Sequence, residues 1–273
     1  YNVANGEGAL YNNTTANNNV AVGRISLYTN STGANNVALG YDALGKNTTA
    51  DNNTAVGHEA LKANTTGDNN VAVGRVALDA NTTGANNTAI GSQALTTNTT
   101  ASSNVAVGVE AMNANTTGAE NTAIGTGALA ANTTASNNVA VGRSALAANT
   151  TGSENVAVGY SAGSTITTAL RLTAIGFEAG KANTSGNENT FVGRKAGLAN
   201  TTAANNTAVG SFAFAANTTG ASNVALGKSS MAANTTGTRN IAIGHNAYDS
   251  SDTEGDNIAI GYNAMTTNTA GGS

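Results

Sequence analysis

Glycine recurs in this chain at a fixed spacing of 17 residues, from Gly6 to Gly261, with no insertion or deletion. Starting each unit four residues before that glycine divides residues 2–273, from Asn2 onward, into sixteen units with the consensus N-[VT]-A-[VI]-G-x-x-A-L-x-A-N-T-T-[GA]-x-N. We number the positions of this unit 1 to 17. A strict period this short is typical of solenoids, in which each repeat forms one coil that packs only against its neighbours.

The columns of the repeat predict the local structure of one coil. Positions 2 to 4 place Ala between two aliphatic or β-branched residues, which predicts a short strand. The constant Gly at position 5 fits a backbone with positive φ, or coils stacked too closely for a Cβ. Asn-Thr-Thr at positions 12 to 14 predicts a turn, and the Asn columns at positions 1 and 12 predict ladders of stacked amides. The variable positions 6, 7, 10, 16 and 17 are predicted to face water.

Composition separates a solenoid from other fold classes. The chain has 33 Gly, no Pro, Cys or Trp, and only 4% aromatic and 10% charged residues. Bulky apolar residues are too few for a globular core, whereas a coil interior one or two side chains wide needs only columns of Ala, Val and Leu. The sequence has no 3.6-residue apolar stripe that would indicate a helix. We therefore predict an all-β fold, a parallel β-solenoid or β-roll of sixteen 17-residue coils, as a single domain over residues 1–273.

The predicted strands also bear on assembly. Side chains at positions 2 and 4 point to the face opposite position 3, yet all three positions are apolar or small. A strand that is apolar on both faces needs a second partner. We predict a parallel homo-oligomer, with a trimer as the preferred count, over a lone flattened solenoid. Neither terminus carries a polar cap, which predicts further repeats or end-to-end stacking into a filament.

The repeat is least regular between residues 155 and 214. Ile166 stands at an Asn position of the turn, Leu172 stands at the Asn of position 1, and position 9 is Gly in three successive units, Gly163, Gly180 and Gly197. All four Phe also lie in this region, at 177, 191, 212 and 214. We predict that large side chains repack the core where Leu is missing, at a bend or a change in cross-section.

Residues with catalytic or metal-binding chemistry are sparse and dispersed. His58 and His245 lie eleven units apart, so they cannot share a site, and we predict no enzymatic activity, no catalytic residue and no cofactor. Asp252, Glu254 and Asp256 form the densest acidic cluster, a weak calcium candidate against the alternative of a solvated turn. A net charge of −4 with scattered charges predicts no nucleic-acid partner, and the lack of an 18-residue apolar run predicts no membrane insertion.

Position 6 forms a basic and aromatic column. Such a column would hold cell-surface glycans, above all anionic polysaccharide, or another fibre, through charge-assisted hydrogen bonds and stacking. The alternative is that an exposed position after a turn accepts any long side chain, since Ser92, Val109, Thr126 and Ser211 interrupt the column. The candidate ligand-binding residues are Arg24, Tyr41, Arg75, Arg143, Tyr160, Arg194, Lys228 and Tyr262, and the column also contains His58, Phe177, His245 and one acid, Glu7.

The Asn-Thr-Thr turns are also sequons for N-glycosylation. A row of glycans along the solenoid is one interpretation, and a purely structural Asn ladder at a β-turn is the other. The paired Thr columns raise an ice-binding alternative, although adjacent Thr residues point to opposite faces. The glycosylation candidates are Asn13, Asn30, Asn47, Asn64, Asn81, Asn98, Asn115, Asn132, Asn149, Asn183, Asn200, Asn217 and Asn234.

The unit NVAVGRVALDANTTGAN, residues 70–86, resembles the head repeats of YadA-like trimeric autotransporter adhesins, and still more closely the N-T-A-[VI]-G…A-L-x-x-N-T-T-G arrays of bacteriophage tail fibres and related surface fibres. This resemblance covers all sixteen units. It implies a left-handed parallel β-roll, trimeric in the autotransporter heads, that serves as an extracellular shaft or adhesive head. We therefore expect a structural, adhesive fibre on a cell or virion surface, with an ice-binding solenoid or a glycan-coated filament as alternatives.

Overall fold

The chain folds into a parallel β-solenoid of 17-residue coils, as the computed structural model of residues 1–250 and 253–266 shows. These described residues contain no helix, so the predicted all-β solenoid is confirmed. The chain divides into two compact units, Tyr1–Asn137 and Asn138–Ser273, each built from eight coils.

Each coil contributes one three-residue strand at positions 2 to 4. Within each unit, consecutive strands pair in parallel with no shift in register, so that Val71 lies opposite Thr88 and Ala72 opposite Ala89. In the first unit the strands are β1 Val3–Asn5, β2 Val20–Val22, β3 Val37–Leu39, β4 Thr54–Val56, β5 Val71–Val73, β6 Thr88–Ile90, β7 Val105–Val107 and β8 Thr122–Ile124. In the second unit they are β9 Val139–Val141, β10 Val156–Val158, β11 Thr173–Ile175, β12 Thr190–Val192, β13 Thr207–Val209, β14 Val224–Leu226, β15 Ile241–Ile243 and β16 Ile258–Ile260.

Residues with positive φ turn each coil. The Gly at position 5 has φ near +135°, as at Gly74 (φ +138), which confirms the predicted role of this column. Positions 7, 9 and 17 also adopt the left-handed conformation although they are rarely Gly; Val76, Leu78 and Asn86 have φ of 48°, 54° and 60°. This conformation costs roughly 1–2 kcal/mol per non-Gly residue. In return, the backbone N–H at each of these positions donates to a carbonyl of an adjacent coil, as Val76 does to His58 and Leu78 to Ala94.

Small and amide side chains fill the coil interior. Six positions of the coil are buried. Positions 1 and 12 are usually Asn, positions 3 and 8 are usually Ala, position 9 is usually Leu, and position 15 is usually Gly or Ala. In the fifth coil, Asn70, Ala72, Ala77, Leu78 and Asn81 are all fully inaccessible to solvent. This narrow interior explains why the chain needs so few bulky residues.

The two Asn columns form the predicted ladders. At position 12, the Asn81 side-chain amide donates to the Oδ1 of Asn64 in the preceding coil, at 2.9 Å, and to the carbonyl of Gly84 in its own turn. At position 1, the Asn70 amide donates to the same Gly84 carbonyl, and its Oδ1 accepts the backbone N–H of Asn87 in the next coil. In most coils the buried amides are therefore hydrogen-bonded to their neighbours, as buried amides require, although the Nδ2 atoms of Asn53 and Asn206 have no hydrogen-bond partner among the described residues.

The core is repacked where Leu is missing, as predicted, while the bend or change in cross-section at this place stays a prediction. Phe191 occupies a position that is otherwise Ala, is fully buried, and lies over two of the glycines at position 9. A Cβ at Gly180 would lie 2.9 Å from the Phe191 ring, and one at Gly197 would overlap the same ring. One coil earlier, a Cβ at Gly163 would meet the side chains of Ile166 and Leu172, both fully buried. The strands keep their register through this region.

Candidate binding surface

The position 6 column begins directly after the strand and the Gly that ends it, and its side chains lie on the surface. In the first unit, the guanidinium of Arg24 lies 5.8 Å from the ring centre of Tyr41 and its Nε donates to Glu7 at 3.1 Å. Tyr41 stacks on His58 with ring centres 5.1 Å apart. Arg75 follows in the next coil and is exposed. Coil stacking therefore brings these predicted residues into one contiguous line.

The same order recurs in the second unit. The guanidinium of Arg143 lies 5.9 Å from the ring centre of Tyr160, and Tyr160 stacks on Phe177 at 5.3 Å with the ring planes 13° apart. Arg194 follows in the next coil, 4.8 Å from the ring of Phe212. Both stacked rings are 44% exposed. Further along, Lys228 precedes His245 and Tyr262, which stack at 5.4 Å.

The orientation of these rings limits the chemistry of the surface. In each stacked pair the two rings face one another, and the other face of Tyr41 or Tyr160 is turned to an arginine. Most of the aromatic faces, which sugars and bases use for stacking, are thus already occupied. The exposed ring edges, which are positive, and the cationic side chains both favour anionic groups.

Two lysines that sequence reasoning missed extend this surface. Lys181 donates to Glu178 at 2.6 Å, and Lys195 lies 3.6 Å from the same carboxylate. The hydrogen bond from Lys181 and the nearby charge of Lys195 lower the pKa of Glu178. The signal was present in the sequence, because Glu178 and Lys195 are neighbours in the position 7 column and Lys181 lies three residues after the acid.

A second surface is the outer face of the sheet. The residues at position 2 are half-buried to exposed, and those at position 4 are similar, as Ile124 (41%) and Ile175 (39%) show. Apart from Asn5, position 4 is always Val, Ile or Leu, while position 2 is Val, Ile or Thr. Each unit therefore carries two parallel, uncharged and mainly aliphatic columns on its outside.

The sequon asparagines belong to the interior rather than the surface. Twelve of the thirteen candidates are fully buried, and only Asn13 of the first coil is half-buried. At these buried positions, as at Asn47 and Asn115, the side-chain amide donates to the ladder and to its own turn. A glycan attaches through this nitrogen, so the geometry favours the structural interpretation of the Asn-Thr-Thr turns.

We accordingly expect the peptides that contain the sequons to have their unmodified masses, measured by mass spectrometry after proteolysis of the native protein. The reason is that a glycosylated Asn would lose its ladder bonds and would need space that the interior lacks. The same chain expressed without glycosylation enzymes is the control. Hexose-sized mass increments on the native chain would contradict this expectation.

The Thr columns of the turn differ in environment. At position 13 the hydroxyl donates along the axis to a carbonyl of the next coil, as Thr65 does to Thr82 at 2.9 Å. At position 14 the side chain is exposed, as for Thr66 and Thr83. Only one of the two columns thus presents its hydroxyls to solvent, and ice binding stays a prediction, tested by thermal hysteresis.

The acidic candidates do not converge in the described part of the chain. Asp252 lies outside the described residues. Asp256 forms two hydrogen bonds of 2.6 Å with Arg239 in the preceding coil, and this hydrogen bonding holds the pKa of Asp256 below its usual range. Within residues 1–250 and 253–266, no three His, Asp or Glu side chains gather in a group that could hold a metal ion.

Comparisons with known proteins do not assign the chain to a family. Nothing in residues 1–250 and 253–266 forms a helix that could cross a bilayer. Neither a protein-family model nor a curated protein matches the sequence.

Proposed function

We propose that this chain is a structural segment of an extracellular fibre on a cell or virion surface, of the kind found in surface adhesins and phage tail fibres. Its role is to extend, to space and to attach rather than to catalyse. The observation that carries the proposal is the uniform bonding between coils. In every described coil pair within a unit, the hydrogen bonds that the backbone N–H groups of positions 2 and 5 donate to the adjacent coil have N···O distances of 2.7 to 2.9 Å.

The columns support the same proposal. Identical side chains stack on one another along each unit, so that Asn meets Asn, Ala meets Ala and Gly meets Gly. Catalysis requires unlike groups that converge on one point, whereas this arrangement spreads each type of group along an axis. Such an arrangement is suited to a repetitive mechanical element.

We further propose that the fibre is a parallel homotrimer that packs through the outer columns of positions 2 and 4. Two uncharged and mainly aliphatic columns run along each unit, and apolar surface of this extent is rarely left exposed on a monomer. Neighbouring copies in parallel would match the columns coil for coil. A heterologous contact that closes into a ring after three copies satisfies every chain equally.

Light scattering coupled to gel filtration tests the assembly. We expect the full chain to have three times its mass of 26.7 kDa. Val141→Lys combined with Ile175→Lys places charges on the outer face and should give monomers with an unchanged circular dichroism spectrum. The control Thr134→Lys combined with Thr151→Lys, at the exposed position 14, should keep the trimer. A wild-type protein that is monomeric at micromolar concentration would refute the trimer.

A further inference from the structure

We infer that a basic and aromatic patch on the second unit binds a linear acidic polysaccharide that lies along the coil axis. The patch consists of Arg143, Tyr160, Phe177, Lys181, Arg194 and Lys195. This inference deepens the proposed function, because it rests on an extracellular fibre and names the ligand class that the fibre would hold.

The first argument is a repeated order in the position 6 column. Four consecutive coils carry a cation, two stacked rings and a second cation from Arg24 to Arg75, and four others do so from Arg143 to Arg194. The cation and both rings recur a third time from Lys228 to Tyr262. The coils between them accept Ser, Val or Thr at position 6, so the fold itself does not require this order.

The second argument is the charge of the patch. The patch has four cations, Arg143, Lys181, Arg194 and Lys195. The one carboxylate beside them, Glu178, contacts only the two lysines, so the local net charge is +3 on a chain whose total is −4. In the described residues, Arg143 and Arg194 have no carboxylate partner and contact aromatic rings instead. These contacts hold the two guanidinium groups against the surface, available to anions in solution.

The third argument is spacing. Arg143 and Arg194 are three coils apart, which corresponds to about 14 Å along the axis. A linear acidic polysaccharide along the axis would span this distance with a few sugar residues and would pass Lys181, which lies in a coil between the two arginines. Single-stranded nucleic acid binds through base stacking as well as phosphate contacts. Here both faces of Tyr160 are covered, by Arg143 and by Phe177, and one face of Phe177 is covered by Tyr160, which disfavours stacking on bases.

The test uses the full chain and polygalacturonate, with affinity measured by calorimetry at low ionic strength. Arg143→Ser combined with Arg194→Ser introduces a residue that position 6 already carries at Ser92 and Ser211. We expect this double variant to bind at least about tenfold more weakly, because two charge-assisted contacts are lost. Arg171→Ser combined with Arg239→Ser removes the same charge from position 17 of the same unit and should bind within about twofold of wild type.

Several outcomes would overturn the inference. The first is a wild-type chain that does not bind polygalacturonate, or binds neutral dextran equally well. The second is an equal loss of affinity in both double variants, which would show that binding depends only on the net charge of the chain. The third is tighter binding of an oligothymidylate through Arg143 and Arg194, which would make the patch a nucleic-acid site. Circular dichroism spectra of both variants that match wild type ensure that the comparison concerns binding.

The same samples separate this inference from the fibre proposal. The patch lies outside the columns of positions 2 and 4, so the Arg143→Ser and Arg194→Ser variant should keep the mass of the assembled protein while it loses the polysaccharide. A monomeric wild type that still binds through Arg143 and Arg194 would refute the trimer and support the patch. A trimeric wild type that does not bind the polysaccharide would support the trimer and refute the patch.

Discussion

Replacing Gly74 by Ala is expected to lower the free energy of unfolding by at least about 3 kcal/mol. Gly74 has a φ of +138°, which side chains with a Cβ rarely adopt, and the new Cβ would lie 2.5 Å from the carbonyl oxygen of Gly91 in the next coil. The obstacle is backbone rather than a flexible side chain. Relief would need the coils to separate, which would break the hydrogen bonds on both sides.

The control for this substitution lies in the same coil. A Cβ at Gly84, at position 15, would lie 2.3 Å from the carbonyl oxygen of Ala101 in the following coil, so the space is as restricted as at Gly74. However, φ at Gly84 lies outside the left-handed region, and Ala occupies the same position at Ala50 and Ala135. We expect Gly84→Ala to cost at least about 1 kcal/mol less than Gly74→Ala in urea denaturation followed by circular dichroism, because only Gly74→Ala adds backbone strain to the close contact. Equal losses at both glycines would contradict this account of the position 5 column.

The second large effect concerns the repacked core. Phe191→Ala is expected to lower the free energy of unfolding by about 3–5 kcal/mol, because it empties the space beside Gly180 and Gly197. Adding Gly180→Leu and Gly197→Leu to that variant restores the usual pair of Ala at position 3 and Leu at position 9. We expect this triple variant to recover at least half of the loss. The fourth protein of this cycle carries Gly180→Leu and Gly197→Leu with Phe191 in place. Chemical denaturation of the wild type and the three variants measures their free energies of unfolding.

The same two leucines should have the opposite effect when Phe191 is present. A Cβ at either glycine would meet the Phe191 ring, so Gly180→Leu and Gly197→Leu alone should destabilise the protein through overpacking. The sign of the effect thus depends on residue 191, which identifies direct contact. A triple variant no more stable than Phe191→Ala would show that Phe191 does not replace the missing leucines.

Much of this fold could be predicted because the period determines the register. Once residues 17 apart are neighbours, the strands at positions 2 to 4, the Gly column and the two amide ladders follow from residue types alone. The filling of the space of the missing leucines by a large side chain could be predicted in the same way, since the lost and the gained volume lie within three coils. These features depend on which residues stack, and the sequence contains that information.

Other features depend on torsion angles and could not be predicted. Leu78 and Val76 give no local indication of a left-handed conformation, which the coil imposes because their N–H groups must reach adjacent coils. Only the frequent Asn at position 17 indicates a left-handed conformation, since Asn adopts positive φ more readily than most residues. Similarly, the column placed Tyr160 beside Phe177, but the rotamers that turn the ring faces toward each other are visible only in the structure.

The matched Asn and Gly columns have a consequence for how the length of such a protein changes over evolutionary time. Each coil offers its upper and lower neighbours the same donors and acceptors, so inserting a duplicated 17-residue segment creates a junction like those already present. The free energy of unfolding then changes by the contribution of the added coil and of its contacts with its two neighbours. An insertion that is not a multiple of 17 residues would put unlike residues opposite each other at the junction. Inherited changes in the length of the solenoid should therefore add or remove whole coils, through duplication and deletion of gene segments in units of seventeen codons.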